Sequence, residues 1–124
     1  MIATRLFEHA SDARPVAAGT TIFNAGDERD YMYAVLEGEV DIAVNGRVVE
    51  TVESGGIFGE MALIDNDKRT ATAVARTDAK IVAVDERRFL FLIQQTPNFA
   101  LHVMRVLSER LRRMDEQFVR VTRV

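Results

Sequence analysis

Two short stretches of this chain carry residue types suited to holding one small anionic ligand. Phe58-Gly59-Glu60-Met61-Ala62-Leu63 comes first, and Arg69-Thr70-Ala71-Thr72 begins six residues after it. A glycine lets the backbone approach an anion closely, and free N–H groups at a helix start favour negative charge. A guanidinium forks onto two phosphate oxygens. A carboxylate accepts hydrogen bonds from sugar hydroxyls. A phosphate and a ribose on one molecule make a nucleotide. The P-loop pattern of two spaced glycines followed by Lys and Ser/Thr does not occur, which argues against a triphosphate cradled in that way.

Other chemistries lack their residues. The chain has no cysteine, so disulfides and thiolate metal sites are excluded. His9 and His102 are the only histidines and lie far apart in sequence, which argues against a metal or haem site. No serine sits in a nucleophile-elbow motif. No His/Glu cluster marks adjacent strands as a metal-dependent barrel enzyme would. The reading is therefore a non-catalytic binding module without a cofactor.

The two stretches need a scaffold, and 124 residues are enough for one domain with one good core. No run of 18 apolar residues marks a membrane span, and the N-terminus lacks an apolar signal core. A cytoplasmic protein is expected. The net charge of −3 is unevenly spread: Arg105–Arg123 holds six Arg against three acids, and the remainder is acidic. An acidic body argues against direct nucleic-acid binding.

From about residue 13 to 85 the chain reads as β. Short apolar segments alternate with turn signals at Ala18-Gly19, Ala25-Gly26-Asp27, Glu37-Gly38, Asn45-Gly46 and Ser54-Gly55-Gly56. Asn45-Gly46 between Glu39–Val44 and Val48–Val52 is a type I′ hairpin signal. Gly38, between two strands, is where positive φ is needed. Arg69-Thr70-Ala71 is expected to open a strand. Residues 1–10 read as a short helix, Glu86–Gln95 as another, and Thr96-Pro97 as the start of a third over about residues 98–121. In that last helix Ala100, Met104, Leu107, Leu111, Met114, Phe118 and Val121 form a heptad stripe. Its first part, over residues 99–107, is expected to pack on its own domain. At about 1.5 Å per residue the helix outruns a small β barrel, so its distal half needs another partner, and a homodimer through this helix is expected.

With these residues in view, the chain resembles the cyclic nucleotide-binding domain family, the β roll of catabolite-activator-type regulators and protein kinase A regulatory regions. The resemblance rests on Ala18–Phe23 with Gly26-Asp27, on Tyr31-Met32-Tyr33, on Glu37-Gly38-Glu39-Val40, and on Ile57 through Val74, which is similar to the phosphate-binding cassette. The nine-residue step from Glu60 to Arg69 matches the kinase-type spacing. The resemblance implies a mainly β fold: a double-stranded β-helix of jelly-roll kind with a short N-terminal helix, a cassette helix and two C-terminal helices. It implies cAMP or cGMP as ligand. Arg69 then pairs with the exocyclic phosphate and Glu60 accepts from the ribose 2′-OH. Backbone N–H groups of Gly59, Glu60 and Ala71 complete the anion cradle, and Phe58, Met61 and Ala62 belong to the same cassette. Thr70 stands where some members carry a threonine that helps bind guanine.

In the family the C-terminal helix often closes over the base. Arg110, Arg113, Glu116 and Gln117 lie near that height, and Gln117 is the favoured contact because an amide both donates and accepts. Residues 1–124 are read as one bacterial-type sensor domain without a helix-turn-helix segment, signalling to a protein effector through its C-terminal helices. Two other readings stay open: a structural dimerisation domain with a vestigial pocket, and the sensor half of a longer transcription regulator.

Overall fold

A computed structural model describes Phe7, residues 10–28, 30–60 and 68–122, with side chains described up to residue 113. Eight strands follow in chain order: β1 (Arg14–Val16), β2 (Thr21–Phe23), β3 (Met32–Glu37), β4 (Val40–Val44), β5 (Arg47–Val52), β6 (Ile57–Phe58), β7 (Thr72–Ala75) and β8 (Ala79–Val84). Two helices close the chain, α1 (Glu86–Gln95) and α2 (Pro97–Thr122). The strands form two four-stranded antiparallel sheets, ordered β1-β8-β3-β6 and β2-β7-β4-β5. This is the mainly β roll with flanking helices that the residue pattern implies. The N-terminal and cassette helices fall almost wholly outside the described residues; Phe7 is helical and Glu60 opens a tight helical turn.

The sheets face each other across one apolar layer, and the first sheet is covered on its other side by helix. Strand periodicity shows how one sequence serves both layers. Along β3, Tyr33 and Val35 point between the sheets, while Met32 and Ala34 point toward α2, and β8 repeats the pattern with Ile81 inward against Val82 and Val84 outward. Strands buried on both faces read as continuous apolar runs rather than alternating ones. The inner layer holds stacked rings of Phe23, Tyr33 and Phe58, with Tyr33 and Phe58 centroids 5.2 Å apart. The outer layer holds Phe7, Phe99 and Val103.

Two turns carry the hand that the sequence demands. Asn45 and Gly46 have φ of 52° and 78°, the double positive φ of a type I′ hairpin. Gly38 has φ 81°, and a Cβ there would stand 2.3 Å from the Asp78 carbonyl oxygen, so only glycine fits.

α1 begins at Asp85, whose carboxylate accepts from the Arg88 N–H at 2.8 Å. Its last turn closes with the Thr96 N–H donating to the Leu92 carbonyl at 2.7 Å, and Pro97 then opens α2. The face of α2 packed on the roll is offset from the heptad stripe. Phe99 and Val103 are buried, Val106 and Leu107 partly so, whereas Met104 and Leu111 are 60% and 61% exposed. Of the stripe, Leu107 is the residue seated against the core cluster. α2 carries two adjacent apolar bands, and the one that holds Phe99, Val103 and Val106 faces the roll, with the Phe99 ring packed edge-on against Phe7 and Phe89. The side chains of Met114, Phe118 and Val121 lie outside the description.

Candidate ligand-binding site

Among the described residues, Glu60 and Arg69 are the charged side chains that are buried, at 5% and 7% exposure. Both line an open cavity of about 160 Å³ against the second sheet. Burying a charge is costly unless it is paired or hydrogen-bonded. Each of these two therefore has to be explained by what holds it.

Arg69 is held by backbone. Its N–H donates to the Asp27 carbonyl and its own carbonyl accepts from the Gly26 N–H, both at 2.8 Å. This zips residues 68–71 to the turn that ends β2. The side chain then runs across the Phe23 ring, with Cζ 3.9 Å from the ring centroid, a cation–π contact. Nη1 donates to the Gly59 carbonyl at 3.1 Å and Nη2 to the Tyr31 carbonyl. Gly59 is fixed by the same contact. Its φ is 72°, and a Cβ would lie 2.6 Å from Arg69 Nη1. Glycine at 59 thus meets a conformational and a steric demand at once.

Glu60 is held by α2. Arg110 donates through Nη1 to Glu60 Oε1. The same guanidinium donates from Nε to both carboxylate oxygens of Glu50, at 3.2 and 3.1 Å, and from Nη2 to Glu50 Oε2 at 2.7 Å. Nη2 also reaches the Ile57 carbonyl at 2.7 Å. Burial by itself disfavours the charged guanidinium, but the hydrogen bonds it donates to Glu50 and Glu60 and the charges of those carboxylates outweigh it, and the pKa of Arg110 is raised. Arg113 adds a bond to Glu50 at 2.8 Å. The helix is thereby tied to β5 and to the first residue of the cassette turn.

Glu50 faces the cavity by strand alternation: it stands two residues from the buried Val52 and opposite Ile42, which packs against the same core. A β-bulge follows on its other side: β4 and β5 pair Ile42 with Glu50 but Ala43 with Val48, leaving Val49 as the extra residue. Val49 turns out to solvent, 48% exposed, while the Glu50 side chain is 16% exposed.

Six of the residues expected from the sequence come together here: Phe58, Gly59, Glu60, Arg69, Thr70 and Ala71 all border the cavity. The strand expected to open at Arg69 starts instead at Thr72; the Arg69 backbone pairs with Gly26 and Asp27 of the turn after β2. Thr70 is an exposed loop residue. Met61 and Ala62 lie outside the described residues, as does the Gln117 side chain. Among the described residues, Arg110 is the α2 side chain that borders the cavity. Sequence reasoning missed Glu50, Phe23 and Ile42. The one signal for Glu50 was an acid interrupting an otherwise apolar strand. Among the described residues no three His, Asp or Glu side chains gather as a metal site needs, and no helix is long and apolar enough to cross a membrane.

The chain matches the family model described as "Cyclic nucleotide-binding domain" over residues 13–96. It is similar to a cAMP-dependent protein kinase regulatory subunit from Eremothecium gossypii, 45% identical over 74 residues, which are 60% of this chain and 16% of the relative. In structure it is similar to the Thermus thermophilus Catabolite Activator Protein, with TM-score 0.79 and 30% identity over 98% of this chain and 57% of that one. It is also similar to CLP of Xanthomonas campestris, a c-di-GMP responsive global regulator, with TM-score 0.83 and 25% identity over 98% of this chain and 64% of that one. This chain therefore spans less than two thirds of each of these relatives. With the two-sheet roll, the Gly59–Glu60 turn and the Arg69 loop in place, and a family match over most of its length, the chain belongs to the cyclic nucleotide-binding domain family.

Proposed function

We propose that residues 1–124 act as one sensor domain for a cyclic mononucleotide, cAMP or cGMP, without catalytic activity. The observation that carries this reading is the pairing of two buried, oppositely charged side chains, Arg69 and Glu60, on one cavity. Arg69 takes the exocyclic phosphate and Glu60 accepts from the ribose 2′-OH. The N–H groups of Gly59, Glu60 and Ala71 serve the anion. Phe58, Met61 and Ala62 complete the cassette, Thr70 reads the base from the roll, and Gln117 reads it from α2. The printed identity of the kinase regulatory relative supports cAMP. The Thr70 hydroxyl can also accept from the exocyclic amine of guanine, so both nucleotides bind, with cAMP modestly favoured. A cyclic dinucleotide is disfavoured on this reading, since Arg110, the second arginine at the cavity, is already engaged by two carboxylates and a second phosphate would have to compete with them for it.

The signal leaves through α1 and α2. A ligand that binds one arrangement of the helices better shifts the population toward it. The exposed Met104 and Leu111 are the surface through which two copies pair and through which a protein effector senses the change. Calorimetric titration with cAMP, cGMP, AMP and c-di-GMP tests the ligand. We expect cAMP and cGMP to bind one per chain and AMP and c-di-GMP to bind far more weakly. AMP binding as tightly as cAMP, or c-di-GMP binding tighter than both, overturns the reading. Sedimentation as a monomer at about tens of micromolar, with and without ligand, removes the dimer from it.

A further inference from the structure

The contacts of Glu50 exceed what an edge-strand surface acid needs. Its neighbours on β5, Val48 and Val49, are exposed at 54% and 48%, while its own side chain lies on the inner face with Val52 and is 16% exposed. It takes the Nε/Nη2 edge of Arg110 in a forked pair. A forked pair fixes the plane of a guanidinium, which a single contact does not. With that edge fixed and Nη2 also on the Ile57 carbonyl, Nη1 is aimed at Glu60.

We propose that Glu50 is a positioning residue for recognition of the ligand's sugar: it fixes Arg110, and Arg110 in turn orients the Glu60 carboxylate toward the ribose hydroxyl. The inference rests on the reading of Glu60 as the ribose acceptor. A neutral hydroxyl does not replace a guanidinium beside a buried carboxylate, because the charge would be left uncompensated. Arg110 therefore stays on Glu60 when nucleotide arrives. The hydroxyl shares the carboxylate rather than displacing the arginine, and a carboxylate has acceptor sites for both. The orientation of Glu60 is then set by a residue on a different sheet edge, acting through a helix side chain. Removing the Glu50 charge frees the Nε/Nη2 edge, lets the guanidinium rotate, and blurs the direction in which Glu60 presents its oxygens.

A purely structural role for Glu50 weakens every ligand alike. A positioning role weakens those ligands that use the 2′-OH. Calorimetry with cAMP and 2′-deoxy-cAMP separates the two. In the parent protein we expect a ribose preference of about tenfold, the worth of one hydrogen bond to a charged group. In Glu50→Gln the preference falls to about threefold or less while 2′-deoxy-cAMP affinity stays within about twofold of the parent. Arg110→Lys, which keeps a charge but loses the fork, produces the same fall, and it decides the matter if Glu50→Gln does not fold. Full ribose preference retained in either variant overturns the proposal, as does an equal loss for both ligands. A parent protein that binds cAMP with no ribose preference overturns the reading of Glu60 itself, and this proposal with it.

Discussion

The two ends of the cavity are built by different means. At the Arg69 end, backbone groups do the holding: carbonyls of Gly59 and Tyr31 take the guanidinium, and the Asp27 and Gly26 main chain takes the loop. These partners are residues of the roll, fixed by the sheet hydrogen bonds around them. At the α2 end, side-chain charges hold the helix: Arg110 and Arg113 meet Glu50 and Glu60 across 50 to 63 residues of sequence. An arginine whose described partners belong to the roll is preorganised. A charge-held helix is adjustable, and salt and charge substitutions weaken its hold. The difference suits the proposed sensor: one end of the cavity is set by the roll, and the other answers to charge.

The largest expected effect lies at the rigid end. Arg69→Leu leaves the phosphate charge unpaired in the cavity, at a cost of about 2–5 kcal/mol in cyclic nucleotide binding. Binding equal to that of the parent contradicts the assignment. The Gly59 and Tyr31 carbonyls also lose a donor, so unfolding in urea should occur earlier, by about 1–3 kcal/mol.

At the adjustable end, Arg110→Met leaves the buried Glu60 carboxylate without its guanidinium. We expect a loss of about 1.5–3 kcal/mol in folding stability. Part of the parent's margin over this variant should vanish as salt is raised, since α2 is tied by charge. A margin independent of ionic strength would erase the contrast between the two ends.

Thr70→Ala sharpens the comparison, because Thr70 lies on the rigid side yet is the residue proposed to read the base. It should weaken cGMP more than cAMP, by about 1 kcal/mol for one hydrogen bond. Equal losses reassign Thr70 to the loop's own structure.

The smallest effect belongs to His102 on α2. Its Nε2 is buried with no hydrogen-bond partner among the described residues. Burial first, and the Arg105 charge second, hold the imidazole below its ordinary pKa of 6.5. The unfolded chain takes up the proton more readily, so folding stability rises with pH through the window below the ordinary value and is lost as pH falls through it. His102→Gln should flatten that slope in urea titrations between about pH 7 and 5. Identical slopes for the two proteins contradict it.

The same division decided what the sequence could tell. The phosphate end is local: Gly59, Glu60 and Arg69 lie within one short segment, and their types state their chemistry before any fold is known. The hairpin at Asn45-Gly46 and the glycine at 38 were legible because positive φ leaves a compositional mark. The helix limits followed from Pro97 and from apolar spacing. The α2 end was not legible. Glu50 shares its strand face with Val52, but an acid among valines does not announce the helix arginine, 60 residues on, that pairs with it. Arg110 was one of several charged residues on α2, and the choice among them depends on the rotation of the helix. That rotation is set by Phe99 and Val103 rather than by the heptad stripe that dominates the sequence. Helix docking angle is a property of the whole interface, so no local window contains it.

The most direct test of the central claim is a crystal structure of this chain with cAMP bound. The account predicts the exocyclic phosphate within hydrogen-bond distance of Arg69 and the ribose 2′-OH on Glu60. Arg110 should still bridge Glu60 and Glu50. A nucleotide whose phosphate sits on Arg110, with Arg69 still covered by Phe23 and away from the ligand, would contradict it.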